Sequence, residues 1–119
     1  MKQALKLSLP YPPSINNYYG RNRFGSVYIK AAGKAYRKTV IAKFGRVKPM
    51  LSKLSVKIFM YPPDKRKRDV DNVLKASMDA LQAANIFKDD SQIYRLLIEK
   101  CEPKTNGELY IEIQGIGKE

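Results

Sequence analysis

All six aspartates of this 119-residue chain fall between Asp64 and Asp90. Within that window Lys65, Arg66, Lys67 and Arg68 run directly into Asp69 and Asp71, Lys75 follows at one helical turn from Asp71, and Asp89 and Asp90 close the stretch. Carboxylates brought to contact distance repel by about 1 kcal/mol or more, so a cluster of them is held by cations, protons or a metal. Asp69, Asp71 and Asp90, if they converged, would offer oxygen-only ligands suited to Mg²⁺, with Mn²⁺ as a substitute; such ions keep several waters and accept phosphate oxygens. A bound ion of this kind activates water and clamps a phosphodiester, while Lys75 would neutralise the transition state or orient the nucleophile. The competing reading makes each group ordinary: Asp69 caps a helix, Asp71 pairs with Lys75, and Asp89 and Asp90 fill a polar loop.

Composition limits the alternatives. With no histidine and Cys101 as the one cysteine, a Cys/His zinc site, a histidine-based triad and an internal disulfide are excluded. At 44% hydrophobic and 29% charged residues, the chain reads as one globular domain spanning residues 1–119. No apolar run approaches the roughly 20 residues of a membrane helix, and Lys6 and Pro10 interrupt the N-terminal apolar positions, so neither a membrane span nor a secretory signal is expected. The formal net charge of +12 is unevenly spread: thirteen Lys and Arg and no acid precede Asp64, against ten and eleven from Asp64 onward. A half-chain of this kind suits a polyanion, nucleic acid ahead of an anionic membrane, because each neutralised phosphate releases counterion. The plain alternative is that the lysines serve solubility.

These residues need elements to hold them. Lys2–Leu9 alternates like a half-buried strand, and Tyr11–Ser26, rich in Pro, Asn and Gly, reads as a long loop or hairpin. In that stretch aromatics are interleaved with Arg21 and Arg23, a mixture suited to stacking on bases and pairing with phosphates, or to tyrosines packed on a sheet beneath solvated arginines. A helix over Lys30–Lys48, with Ala32, Tyr36, Val40, Phe44 and Val47 inward, stops at Pro49, and a strand over Leu54–Tyr61 stops at Pro62 and Pro63. After Asp69 the residues Val70, Val73, Leu74, Ser77, Met78, Ala80, Leu81 and Ala84 share one arc of a helix, which Asn85 can close in the left-handed conformation. Strands over Gln92–Cys101 and Glu108–Gln114 follow, with a hairpin signal at Asn106-Gly107. The order β-α-β-α-β-β predicts an α/β (α+β) domain, a mixed four-stranded sheet with two helices.

Three separated motifs, PPSINNYY at Pro12–Tyr19, RKRDVDNVLKASMDAL at Arg66–Leu81 and DDSQI at Asp89–Ile93, together resemble the RusA-type Holliday-junction resolvases, a likeness that extends over nearly the whole chain. The resemblance implies a small mixed α/β domain that forms a homodimer, and Mg²⁺-dependent cleavage of four-way DNA junctions by three aspartates and a lysine, here Asp69, Asp71, Asp90 and Lys75. It implies a setting in recombination, repair or phage-DNA processing, in the cytoplasm of a bacterial or phage-infected cell. The family often has glycine where this chain has Asn85, a change the helix-closing role tolerates. Lys65, Arg66, Lys67, Arg68, Arg21 and Arg23 are the expected DNA contacts, and Asn16 and Tyr18 are placed either on the DNA side or in a structural part. Two other readings stand beside this one: a non-catalytic basic nucleic-acid-binding module, and a basic RNA-binding protein of ribosomal type. The latter gives no reason for three aspartates around a lysine.

Phosphate-led binding makes affinity for DNA fall steeply with salt, with each phosphate contact adding roughly 0.9 to the negative log–log slope. Replacing Lys65 to Arg68 together should flatten that slope in a salt-series gel shift, and a slope near zero in the unaltered protein would refute the electrostatic reading.

Overall fold

Leu54, Val56, Ile58 and Met60 recur at every second position and are all fully buried, which sets one face of a strand against helices. In the computed structural model, which describes residues 4–116, this strand is a central member of a four-stranded sheet. In chain order the elements are β1 (Ala4–Leu9), the one-turn helix α1 (Ile15–Tyr18), β2 (Tyr19–Arg21), β3 (Val27–Ile29), α2 (Ala31–Phe44), β4 (Lys53–Tyr61), α3 (Asp71–Ala83), a 3-10 turn at Asp90–Gln92, β5 (Ile93–Lys100) and β6 (Glu108–Ile116). The sheet order is β1-β6-β4-β5, with β6 antiparallel to both β1 and β4, and β5 parallel to β4.

The mixed α+β sheet is as expected, and the arc proposed for α3 is buried or half-buried at every position. Asn85 closes that helix at φ 62°. The stretch read as a loop or hairpin is richer than expected: it holds α1 and the first strand of a separate two-stranded sheet, β2–β3, so the domain has three helices and two sheets. Helix α2 ends at Phe44 rather than Lys48, and its buried face is Gly33, Tyr36 and Val40, with Ala32 and Val47 exposed.

The last two strands are not a hairpin pair. Asn106 and Gly107 do form a turn, with φ of 67° and 69°, but β4 lies between β5 and β6, and the connection is held at the end of β4 by Cys101 N–H donating to Met60 O and Lys104 N–H to Pro62 O. A hairpin signal is local, whereas pairing is decided by which strands bury the most apolar area together. Strand β6 carries Leu109, Ile111 and Ile113, all buried, and belongs in the interior; β5 is left at the edge with Leu96 and Leu97 43% and 47% exposed.

Gly33 lets α2 approach α1: a Cβ there would lie 2.7 Å from the Tyr18 carbonyl oxygen and 2.7 Å from Ile29 Cγ2. Alanine is better than glycine by about 1 kcal/mol inside a helix, but backbone cannot yield as a flexible side chain does, and overpacking costs roughly 1–3 kcal/mol. Gly33→Ala should therefore lower stability in urea denaturation; unchanged or increased stability would contradict this close packing.

Candidate active site and nucleic-acid interface

Helix α3 carries the site. Its start is a tight turn, Asn72 N–H donating to the Asp69 carbonyl at 3.1 Å and Val73 N–H to that of Val70 at 3.3 Å. The Asp69 side chain caps nothing, contrary to the expectation for a helix entry, because Val70 at the cap position is already helical. Asp69 and Asp71 are both exposed, with no side-chain hydrogen bond or ion pair among the described residues. Asp71, the first residue of α3, sits where the helix dipole favours a negative charge.

The six aspartates divide into two groups. Asp64 accepts from Arg66 (Nη2, 3.0 Å) and Arg68 (Nη1, 2.5 Å), whose guanidinium groups hold its carboxyl well below the usual carboxylate range. Asp79 takes a two-point fork from Arg37, Nε at 2.7 Å and Nη2 at 2.6 Å, and the hydroxyl of Tyr18. Asp89 accepts from Ser91 N–H at 3.3 Å, while the Gln92 amide oxygen accepts from the N–H groups of Lys88 and Asp89, at 2.8 and 3.0 Å. That reciprocal cap fixes the turn before β5 and leaves the Asp90 side chain exposed. Asp69, Asp71 and Asp90 are thus the three with no side-chain partner among the described residues.

Lys75 does not pair with Asp71, as the competing reading of the sequence had it; its ammonium lies 5.2 Å from the centroid of the Tyr19 ring. Asp79, one turn beyond Lys75, is already occupied by Arg37 and Tyr18, so Lys75 stays over Tyr19 at the edge of an elongated cleft of about 970 Å³. That cleft runs along α3 to the start of β5, with Asp71, Lys75, Asp79 and Asp90 on its rim and Leu74, Met78, Ile93 and Leu96 contributing apolar surface.

The three aspartates expected to converge do not do so within one chain. Strand β5 does lie beside β4, but the two are parallel, so the chain leaves β4 at one end of the sheet and starts β5 at the other. Asp69 and Asp71 follow β4 whereas Asp90 precedes β5, and α3, at 13 residues, runs about 20 Å between them. Among the described residues no three Asp, Glu or Cys side chains gather as a metal-binding group.

Of the expected DNA contacts, Lys65, Arg66 and Lys67 are exposed in the segment between β4 and α3, while Arg68 is half-buried and stacks 5.7 Å from the Tyr11 ring. Arg21 and Arg23 are exposed on the β2–β3 hairpin, and Asn16 is exposed with its carbonyl accepting from Lys30 Nζ at 2.8 Å. Tyr18 is 0% exposed, which places it in the structural part: its ring fills the core beside Tyr36, and burial and Asp79 push its hydroxyl pKa up. Pro12, Pro13, Ser14 and Asn17 line a recess together with Pro63, Arg66, Lys67, Arg68 and Asn72, beside the basic segment. Sequence reasoning missed Arg37 and Asp79 as partners; an arginine and an aspartate on two helix faces carry no local mark of their pairing.

The family model described as Endodeoxyribonuclease RusA matches residues 10–114, which include every residue assigned to the candidate site. Similar proteins include the crossover junction endodeoxyribonuclease rusA of Enterobacteria phage 82, 39% identical, that of Shigella sonnei, 36% identical, and that of Escherichia coli K12, 35% identical. Each alignment covers 95% of this chain and 96% of the relative.

Burial alone would raise the Asp79 pKa, but hydrogen bonds from Arg37 and Tyr18 outweigh it and hold the group below its ordinary value. The stability this contributes is complete above the unfolded carboxylate pKa and is lost as pH falls through the lower folded value. Arg37→Gln should cost about 1–3 kcal/mol at neutral pH by leaving a half-buried carboxylate short of its cation. Arg37→Gln with Asp79→Asn should recover much of that loss and flatten the acid limb of a urea-denaturation series; additive losses would contradict the coupling.

Proposed function

This chain belongs to the RusA endodeoxyribonuclease family, and we propose that it is a structure-selective, Mg²⁺-dependent endodeoxyribonuclease that resolves four-way DNA junctions as a homodimer in recombination and repair. The observation that carries the reading is the division among the aspartates: Asp64, Asp79 and Asp89 are committed to neighbours, while Asp69, Asp71 and Asp90 stand exposed and without side-chain partners among the described residues. Lone carboxylates left free in so basic a protein are suited to a ligand that supplies positive charge. An all-oxygen donor set fits a hard divalent cation, Mg²⁺ or Mn²⁺, and such an ion would activate water and stabilise charge on the scissile phosphate.

One protomer holds only part of that set at either end of α3, and two protomers remove the difficulty. Strand β5 is an uncovered sheet edge bearing Tyr94, Leu96 and Leu97, 66%, 43% and 47% exposed, beside the apolar wall of the cleft. Two such edges meeting about a twofold axis run antiparallel, so the start of one strand faces the end of the other. The end of β5 lies near the other carboxylates, Lys100 Nζ donating to the Arg68 carbonyl at 2.9 Å, one residue before Asp69. Asp69, Asp71 and Lys75 of one protomer would then be joined by Asp90 of the partner subunit. The pair would hold two such sites, as two symmetric cuts require. Lys75 is placed to meet a phosphate at the cleft edge, while Lys65, Arg66, Lys67 and Arg68 hold the backbone that leads to it.

Incubation with synthetic four-way junction and linear duplex, in Mg²⁺ or EDTA, tests the activity: metal-dependent cutting of the junction is expected, and junction binding without cutting would favour the non-catalytic binding module. Subunit mixing tests the shared site. Asp71→Asn and Asp90→Asn should each abolish cutting alone, yet a mixture of the two should regain single-strand nicking, because the mixed dimer keeps one site with both groups intact. No regain on mixing, with exchange of subunits verified, would refute the shared site.

A further inference from the structure

Among the described residues the most exposed large hydrophobic side chain is on the β2–β3 hairpin: Phe24, at 79%. Its turn is built to hold that ring out. The Asn22 side-chain oxygen accepts from the N–H groups of Phe24 at 2.9 Å and Ser26 at 3.1 Å, Asn22 N–H donates to Ser26 O at 3.0 Å, Gly25 N–H donates to Asn22 O at 3.0 Å, and Arg21 Nη1 donates to Gly25 O at 3.2 Å. Gly25 takes φ +83°, a conformation the turn requires and side chains rarely adopt. The Arg23 guanidinium lies 5.0 Å from the Phe24 ring centroid. A ring so placed is a preorganised apolar platform with a cation against it.

The surroundings select what it meets. No acidic residue precedes Asp64, so the hairpin and everything before it carry only positive formal side-chain charge, and Arg21, Arg23 and Lys30 lie in or next to the hairpin. An anionic partner that also offers a flat apolar face is a nucleic acid with an accessible base. Bases inside continuous duplex are stacked on both faces and closed to such a ring; a break in the helix exposes one. The hairpin is also tied to the site: Tyr19, its first residue, lies beneath Lys75, and Phe24 follows five residues later, at most about 18 Å along an extended chain.

Resting on the functional reading above, we propose that Phe24 stacks on a nucleobase exposed at a break in the double helix, with Arg21 and Arg23 holding the flanking phosphates, so that the hairpin tip senses the branch point and directs Lys75 to a phosphate a few nucleotides away. Val27 and Tyr28, 55% and 49% exposed, leave apolar surface on both faces of the adjoining strand β3. Stacking of one base on an aromatic side chain is sequence-tolerant, so this contact reports DNA structure rather than sequence.

The chain contains no tryptophan, so Phe24→Trp supplies a single fluorescent reporter at the tip. Binding is followed in EDTA with four-way junction, linear duplex and single-stranded oligonucleotide, alongside gel shifts of the unaltered protein. Junction and single strand should both quench the introduced tryptophan and shield it from acrylamide, and duplex should do neither. Phe24→Ala should weaken junction binding about tenfold and duplex binding less than twofold, while Phe24→Trp retains both. Junction bound with the tryptophan unquenched, equal quenching by duplex, or equal losses for both DNAs in Phe24→Ala would each overturn the inference while leaving the nuclease reading intact. No junction binding by the unaltered protein would overturn both.

Discussion

Two parallel neighbouring strands cannot be joined at the end where the first one finishes; the chain must cross back over the sheet before the second can start. In this protein the crossover is α3, and its geometry governs where every carboxylate falls. Asp69 and Asp71 are delivered where β4 ends, Asp90 where β5 begins, and the helix length lies between them. The same crossover leaves β5 on the outside of the sheet, half-clothed in apolar side chains. The dispersed carboxylates and the uncovered edge therefore have one origin, and the proposal that a second protomer completes the site answers both.

Helix α3 is itself fixed by what it buries and by what it ties down. Val73, Ala76, Ser77, Met78, Ala80 and Leu81 face the core, with the Ser77 hydroxyl donating to the Leu74 carbonyl at 3.0 Å so that no buried polar group is left unmet there. On its flank Asp79 binds Arg37 from α2 and Tyr18 from α1, joining three helices through one carboxylate. A carboxylate satisfied in this way has nothing left for Lys75, and the Tyr19 ring under that ammonium is positioned by the adjacent Tyr18 anchor. Structural satisfaction of one acid thereby helps to keep a cation available at the cleft.

The basic surface shows a related economy. Arg66 and Arg68 share Asp64, which orders the segment between β4 and α3 without cancelling it, since Lys65 and Lys67 beside them make no ion pair among the described residues. Pro12, Pro13 and Asn17 line a recess with that segment, so a motif legible in the sequence as turn-forming lies beside residues some fifty positions along the chain.

Local patterns determined a good part of this protein. Alternation placed β1, β4 and β6, three- and four-residue recurrence placed α3 with its whole buried arc, Asn85 marked that helix's end, and the crowding of aspartates against cations marked the segment on which the proposed site is drawn. These follow from side-chain periodicity and backbone preference, which a sequence carries residue by residue. The tertiary structure alone decided that β6 enters between β1 and β4 and strips the Asn106-Gly107 turn of its expected partner strands, because pairing is settled by total apolar burial rather than by the turn. It also decided which aspartates stay free, since Asp79 is engaged by Arg37 from 42 positions away and Tyr18 from 61. And it separated Asp71 from Asp90, because the direction in which a strand runs beside its neighbour is a property of the assembled sheet and leaves no mark in the strand's own residues.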